Sequence, residues 1–305
     1  MLDVRRLKLL RDLSVHGTLA AVAEVLHQSP SSVSQQLSVL EQEARTPLLR
    51  KAGRRVELTP AGILLAEYAD RILALIDEAE ASVARSAGDV VGTVHVAAFQ
   101  SAALAFMPQL LARLAADHPR LEVTMSQRLP EDALLEARAR SNGLDLVIAQ
   151  QYPHHPAPLL AGLDREPLTR DRLRLAVPPA GDPWDRIADL ADAADAPWAM
   201  EPRGAASRAW VEHACREAGF EPRVRFETDD LEAHIALVES GNAVVILPEL
   251  MCVRRPPRVR WIDLPGQPRR EVFTSTRAAM ASAPPIVACR AALAGIVPAE
   301  LEVAG

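Results

Sequence analysis

The sequence predicts an α/β protein that carries a small winged helix-turn-helix head of all-α type. Three observations point there. The first 42 residues show three short helical patterns separated by Gly17-Thr18 and Ser29-Pro30 junctions. After Gly92 the apolar period changes, and strands begin to alternate with helices. That alternation then runs through a second time, so the body reads as two similar α/β lobes.

In the head, the first helix runs from about Val4 to Val15, with Leu7, Leu10 and Leu13 along one side and Gly17 ending it. Thr18 is a good N-cap for the second helix. Leu19, Val22, Ala23 and Leu26 then fall at i, i+3, i+4, i+7 and form one apolar face. His27-Gln28 is a short turn. Ser29 caps the third helix, and Pro30 takes its first position, where the missing N–H costs nothing. Val33, Leu37 and Leu40 form the buried face.

Two short helices joined by a tight turn make a helix-turn-helix. On the far side of the third helix lie Ser31, Gln35, Ser38 and Gln42. Such a face is poor for helix propensity and well suited to hydrogen bonding with base edges in a major groove. Thr18, Ser29, Ser32 and Ser34 join Ser31, Gln35 and Ser38 as candidate DNA-contacting residues. No charged residue lies between His27 and Leu40, so attraction to phosphate must come from elsewhere. Residues 45–59 supply it. Leu48-Leu49 and Val56 with Leu58 flank a basic tip, which reads as a β-hairpin wing bearing Arg50, Lys51, Arg54 and Arg55. The other reading is a solvated charged loop; its position directly after a helix-turn-helix favours phosphate contact.

Pro60-Ala61-Gly62 opens a helix reaching about Ser86. Leu65, Tyr68, Ile72, Leu75 and Ala79 repeat at intervals of 3, 4, 3 and 4, a coiled-coil seam. The same pattern fits a helix packed on its own domain. A helix-turn-helix reads two-fold sites as a dimer, and Gly88 and Gly92 isolate this helix from the body of the chain, so dimerisation is expected.

In the body, Thr93–Phe99 reads as a strand, and Leu104, Met107, Leu111 and Leu114 mark a helix ending before Pro119. Leu121–Met125 is a second strand, Glu131–Arg140 a helix stopped at Asn142-Gly143, and Leu144–Ala149 a buried strand. The pattern recurs with strands at Arg172–Val177, Trp198–Met200 and Val224–Glu227, and helices at Ala205–Ala218 and Leu231–Glu239. Ser240-Gly241 then precedes the strand Ala243–Leu247. Gly143 and Gly241 look like equivalent parts of the two lobes. Pro-rich stretches near Pro153–Pro158 and Pro256–Pro257 are the expected hinges. A strand near Val272 and a helix over Pro285–Leu293 are expected to return to the first lobe.

Two α/β lobes around a cleft make a ligand clamp. Gln100-Ser101-Ala102 follows the first strand and starts a helix, so its free N–H groups and the Ser hydroxyl would hold an anion such as a carboxylate. Ser101 as a mere helix cap is the other reading. Across the cleft, Pro202-Arg203 precedes another helix start; Arg203 is either a partner for a ligand carboxylate or a surface Arg. Gln127, Gln150 and Thr228 sit just past strands and complete the polar lining.

Composition sets the bounds. The chain has 305 residues, 49% hydrophobic, 24% charged and 4% aromatic, which fits a globular protein and excludes disorder, collagen and a disulfide scaffold. No apolar run is long enough to span a bilayer, and charges occupy the place of a signal peptide's apolar stretch, so a cytoplasmic home is expected. Cys215, Cys252 and Cys289 are odd in number, widely spaced and without metal-ligand spacing. Residues 1–60 carry nine Lys/Arg against six Asp/Glu, whereas the net charge of the whole chain is -6, so a basic head sits on an acidic body. No Gly-rich phosphate loop, HExxH or nucleophile elbow is present, so neither an enzyme nor a cofactor is expected. His154-His155 would point to opposite faces of a strand and is read as a solvated hinge pair, with no metal. His213 and His234 are read as ordinary helix residues.

The run from Leu19 to Glu41, with Thr46-Pro-Leu-Leu-Arg50 and Gly53-Arg-Arg-Val-Glu-Leu-Thr-Pro-Ala-Gly62, resembles the LysR-type transcriptional regulators. The motif covers about 45 residues, and the family's total length is close to that of this chain. The resemblance implies a winged helix-turn-helix (1–59), a linker helix (60–88) and an effector module (89–305) like a type 2 periplasmic binding protein. Its lobe I would span about 92–160 and 267–305, and its lobe II about 161–266. It also implies a homodimer or homotetramer, and an effector site at positions like Ser101, Gln127 and Pro202-Arg203. Two positions depart from the family's pattern: Pro30-Ser31 stands where it usually has Gln-Pro, and Gln35 where it often has Arg. Gln pairs naturally with adenine and Arg with guanine, so Gln35 is expected to read an adenine in each half-site. The expected function is a sequence-specific, effector-controlled regulator acting on double-stranded DNA. An architectural DNA binder without effector, or a solute-binding protein with an N-terminal extension, are the alternatives.

Overall fold

Each of the four helices at the N-terminal end starts on a side-chain cap. In this computed structural model, which describes residues 1–26, 28–52, 55–87, 90–139, 143–179, 181, 183–253 and 255–297, these are α1 (Val4–His16), α2 (Leu19–Val25), α3 (Pro30–Ala44) and α4 (Pro60–Ala87). Asp3 accepts from Arg5 N at 2.8 Å, Thr18 from Ala21 N at 3.1 Å, Ser29 from Ser32 N at 3.2 Å and Thr59 from Gly62 N at 3.0 Å. Gly17 ends α1 at φ 73°, a conformation that costs Gly little. Leu7, Leu10, Leu13, Val22, Val33, Leu37 and Leu40 pack into one core, joined by Leu48 and by Ala66 and Ala69 of α4.

The hairpin wing is β1 (Leu49–Ala52) paired antiparallel with β2 (Arg55–Leu58). Glu41 near the end of α3 fixes its root: Oε1 accepts from Leu48 N at 2.8 Å and Leu49 N at 3.0 Å. Gly62 lies against the same root. A Cβ there would collide with the Leu48 carbonyl oxygen, so the backbones approach this closely only because residue 62 is Gly.

α4 divides its apolar residues between two faces. Leu64, Tyr68, Leu75 and Val83 are exposed, as is Ala79, whereas Leu65 and Ile72 pack against the head core. The expected seam therefore needs correction: Leu65 and Ile72 turn partly inward, and the apolar stripe open to a partner runs through Leu64, Tyr68, Leu75 and Val83. A spacing of 3 and 4 marks a stripe on a helix but not which of two neighbouring stripes meets the core.

The body continues as β3 (Gly92–Ala98), α5 (Gln100–Asp117), β4 (Leu121–Gln127), α6 (Pro130–Ala139), β5 (Leu146–Gln151) and β6 (Glu166–Val177). Next come β7 (Pro197–Met200), α7 (Ala206–Glu217), β8 (Arg223–Glu227), α8 (Leu231–Glu239), β9 (Val245–Pro248), β10 (Arg260–Asp263), β11 (Arg269–Ser275) and α9 (Pro284–Ala294). Lobe I has the strand order β4-β3-β5-β11-β6, with β3 parallel to both β4 and β5. In lobe II β7 is parallel to β8, meets β9 through a Trp198–Val244 bridge, and β9 and β10 flank β6. The two orders correspond, and Gly143 (φ 65°) and Gly241 (φ 76°) occupy the corresponding turns. β11 and α9 return to the core of lobe I, as expected.

The crossings differ from expectation. β6 itself passes between lobes: residues 166–172 pair with β11 in lobe I, and residues 173–177 pair with β9 and β10 in lobe II. The return runs from β10 to β11 through residues 264–268. Among the described residues Pro153–Pro158 makes no ladder across the lobes: Ala157 packs on lobe I while the His155 ring meets His213 of α7 at 5.8 Å, and Pro256-Pro257 lies wholly before β10. The first half of β6, Glu166-Pro-Leu-Thr-Arg-Asp-Arg, alternates too poorly to read as a strand and is held extended by its ladder with β11. His154 is in a turn at φ 61° closed by a Tyr152–His155 bridge, not in a strand.

Candidate nucleic-acid interface and interlobe cleft

With Val33, Leu37 and Leu40 turned into the core, helical geometry carries Ser31, Gln35, Ser38 and Gln42 outward, and all four are exposed. Ser32 and Ser34 are half-buried beside them, as is Thr18, whose hydroxyl caps α2. Ser29 and Ser31 share a hydrogen bond of 2.9 Å. Arg6 Nε donates to Gln36 at 3.1 Å. Gln35 and Ser38, by contrast, make no side-chain hydrogen bond among the described residues, so their donors and acceptors are open to an outside partner. Ser29 remains the cap of α3 and Pro30 its first residue, so the Pro-Ser departure leaves the helix start where the sequence placed it.

On the wing, Arg50 is exposed and pairs across the hairpin with Glu57 at 2.9 Å. Lys51 is exposed and makes no ion pair among the described residues. Arg54 and the side chain of Arg55 lie outside the described residues. An exposed uncharged face beside a basic hairpin can meet base edges and phosphates respectively.

Between the lobes lies a cavity of about 260 Å³. Phe99, Gln100, Gln127 and Gln150 line it from lobe I, and Met200, Glu201, Trp210, Asp229 and His234 from lobe II; Tyr152, Leu173 and Arg270 lie at the crossing. Of the residues expected there, Gln100, Gln127 and Gln150 meet. Pro202 and Arg203 are exposed and lie off the lining, and Thr228 is also off it, its hydroxyl accepting from Asp230 N at 3.2 Å. Ser101 and Ala102 are buried behind the wall. The carboxylate grip expected from Ser101 and Arg203 is thus not assembled: Arg270 Nη2 donates to Ser101 Oγ at 2.7 Å and takes the place foreseen for a ligand.

Arg270 and Asp171 are cross-strand partners at the point where β6 changes lobe. Both are buried, with Nε and Nη2 of Arg270 donating to Asp171 Oδ2 at 2.8 and 2.6 Å. Arg270 also donates to Gln150 and lies 5.0 Å from the Phe99 ring centre. Asp171 Oδ1 accepts from Leu250 N at 2.9 Å. Burial alone would lower the Arg270 pKa; Asp171 outweighs it and holds the guanidinium above its ordinary range. Gln100 spans the cleft itself, donating to Asp230 at 2.7 Å and accepting from Leu231 N at 2.8 Å at the start of α8. Burial raises the Tyr152 hydroxyl to about 12, so it stays protonated, and its ring stacks on Trp210 at 5.9 Å.

Sequence reasoning missed Tyr152, Glu201, Trp210, Asp229, His234 and Arg270. Arg270 and Asp171 are 99 positions apart, a pairing that only the ladder reveals. His234 did leave a signal: it shares the inward face of α8 with Ile235 and Val238. It is only 1% exposed, and neither ring nitrogen has a hydrogen-bond partner.

Known proteins share this architecture. Residues 4–63 match the bacterial regulatory helix-turn-helix protein, lysR family, and residues 87–296 match the LysR substrate binding domain. The transcriptional regulator TcbR of Pseudomonas sp. (strain P51) is 28% identical over 94% of this chain and 96% of its own. The malonate utilization transcriptional regulator of Klebsiella pneumoniae is 27% identical over 81% and 79%. Among solved structures, a full-length OxyR from Pseudomonas aeruginosa superposes with a TM-score of 0.66 at 18% identity, covering 96% of this chain and 95% of that one. CbnR, a LysR family regulator, superposes with a TM-score of 0.52 at 26% identity over 96% and 100%, and CbnR complexed with its target DNA gives 0.53 at 25% over 96% and 99%. No helix among the described residues is long and apolar enough to cross a membrane. With the two family matches together spanning the head and nearly all of the body, the chain belongs to the LysR family of bacterial helix-turn-helix regulators.

Proposed function

We propose that this protein is a cytoplasmic, non-enzymatic transcription regulator that binds duplex DNA through α3 and its wing and is controlled by a small molecule held between its lobes. The carrying observation is the exposed Ser/Gln face of α3, with Gln35 and Ser38 unpartnered among the described residues, on a fully buried Val33/Leu37/Leu40 spine. Gln35 and Ser38 would lie against base edges, while Arg50 and Lys51 would meet phosphates. That CbnR is solved in complex with its target DNA supports duplex DNA as the partner. The exposed stripe Leu64, Tyr68, Leu75, Val83 on α4 supports assembly with a second copy. Gln100, bridging lobe I to the start of α8, offers a contact that a ligand can replace or reinforce, and so a route from cleft to head.

The test is selection of binding sites from random duplexes, with wild type and Gln35→Ala, followed by footprinting on the selected site. The wild type is expected to yield a two-fold-related motif, and Gln35→Ala to lose preference at one base pair of each half-site. Failure to enrich any motif at low salt would overturn the reading.

A further inference from the structure

The cations of the cleft are already engaged. Arg270 is held by Asp171 and Ser101, and Arg208 by Glu212 at 2.8 Å and by Glu227. Arg128 donates to the Gln127 carbonyl at 3.2 Å and lies 3.9 Å from Glu136. The anions are not. Glu201 is half-buried in the wall, its carboxylate hydrogen-bonded by the Ser207 hydroxyl and within the field of Arg270, and Asp229 stands at the mouth; neither makes an ion pair among the described residues. His234 completes the wall, but both its ring nitrogens are buried with no open surface, beside the backbone of Thr228 and Met200. Around them, Phe99, Tyr152 and Trp210 offer ring surface.

We propose that the cleft takes a ligand bearing a protonated amine on a small apolar or aromatic body, with the ammonium between Glu201 and Asp229. This rests on the reading of the cleft as the effector site and specifies its charge class. An ammonium carries three donors and no acceptor, and the two carboxylates are acceptors that match it. Burial lowers the His234 pKa despite the nearby Thr228 and Met200 carbonyls and the Asp229 and Asp230 carboxylates, so the ring is neutral and adds no positive charge to the site. Burial raises the Glu201 pKa and outweighs the Ser207 hydroxyl and the Arg270 charge, which lower it, while Glu131 and Asp229 add to the rise, so a bound cation would relieve the site. A carboxylate ligand would meet these two acids with no free cation in compensation except the loosely paired Arg128.

Titration calorimetry of the full-length protein with benzylamine, benzyl alcohol and benzoate tests this, with tryptophan fluorescence as a second readout. Benzylamine is expected to bind about tenfold or more tightly than either of the others, and Glu201→Gln to weaken it by about tenfold or more, since the variant keeps the shape and removes the charge. Asp229 is exposed, so Asp229→Asn, also expected to weaken benzylamine, keeps the test open should the Glu201 variant fail to fold. Benzoate binding as tightly as benzylamine, none of the three binding, or both variants binding benzylamine like wild type would each overturn the proposal. Benzoate quenching cleft tryptophan would leave the cleft as the ligand site and remove only the charge class. A footprint-shifting ligand indifferent to every cleft substitution would remove the cleft reading itself.

Discussion

Replacing Arg270 by Met tests the claim that one buried ion pair holds the junction of the two lobes. The residue is 1% exposed, and its guanidinium hydrogen-bonds the side chains of Asp171, Ser101, Gln150 and Tyr152. Met fills much of the same volume but leaves Asp171 buried with only the backbone N–H groups of Leu250 and Glu249. Removing one partner of a buried pair strands a charge in a low dielectric and costs about 3–5 kcal/mol. Asp171→Leu alone should cost about as much, because Arg270 is then the stranded ion. The double variant, with no charge left to strand, should recover at least about 2 kcal/mol of the sum of the two single losses. Urea unfolding of the full chain, followed by fluorescence of Trp198 in the lobe II core, gives the three differences. A single variant within about 1 kcal/mol of wild type, or a double variant equal to the sum, would refute the view that the pair acts as a unit.

Other substitutions test other parts of the argument. Gly62→Ala should destabilise the head by about 1–3 kcal/mol, an overpacking cost, because its Cβ meets the Leu48 carbonyl; loss of DNA binding at a lower temperature than wild type would show it. His234 has a depressed pKa in the fold, so its contribution is fully present above the ordinary value near 6.5 and is lost as pH falls below it, when the unfolded chain takes up a proton that the fold does not. Wild type should lose up to about 1.4 kcal/mol per pH unit from this group below that point, and His234→Phe should flatten the slope between pH 7 and 5 in urea titrations. Lys51→Ala should weaken DNA binding evenly across sequences and lower the slope of log affinity against log salt by about 1.

The head was legible in detail because its determinants are local. Capping residues, a Ser-Pro start and a 3.6-residue period each act within one turn, and Thr18, Ser29 and the Val33/Leu37/Leu40 face occupy the places that these rules require. Most strands and helices of the body were legible for the same reason. The cleft was legible only where its residues sit at or just past the C-terminal end of a strand, as Gln100, Gln127 and Gln150 do. Arg203 follows a strand too, but the Gly204 turn carries it to the surface. Ser101 failed as an anion site because a side chain 169 positions away fills the space. The hinge was misplaced because proline density marks irregular chain, whereas the crossing is made by ladder pairing, a property of two strands rather than of one.

A strand shared by both lobes restricts how they can move. β6 is laddered to β11 in its first half and to β9 and β10 in its second, with only the bond between Arg172 and Leu173 at the changeover. Sliding one lobe along the other would break rungs on both sides, so the low-cost motion is torsion about the strand's own axis. Any message leaving the ligand pocket is therefore an angle, and the wide arc it sweeps at the far edge of either sheet makes a few degrees at the axis sufficient to re-aim whatever is attached there.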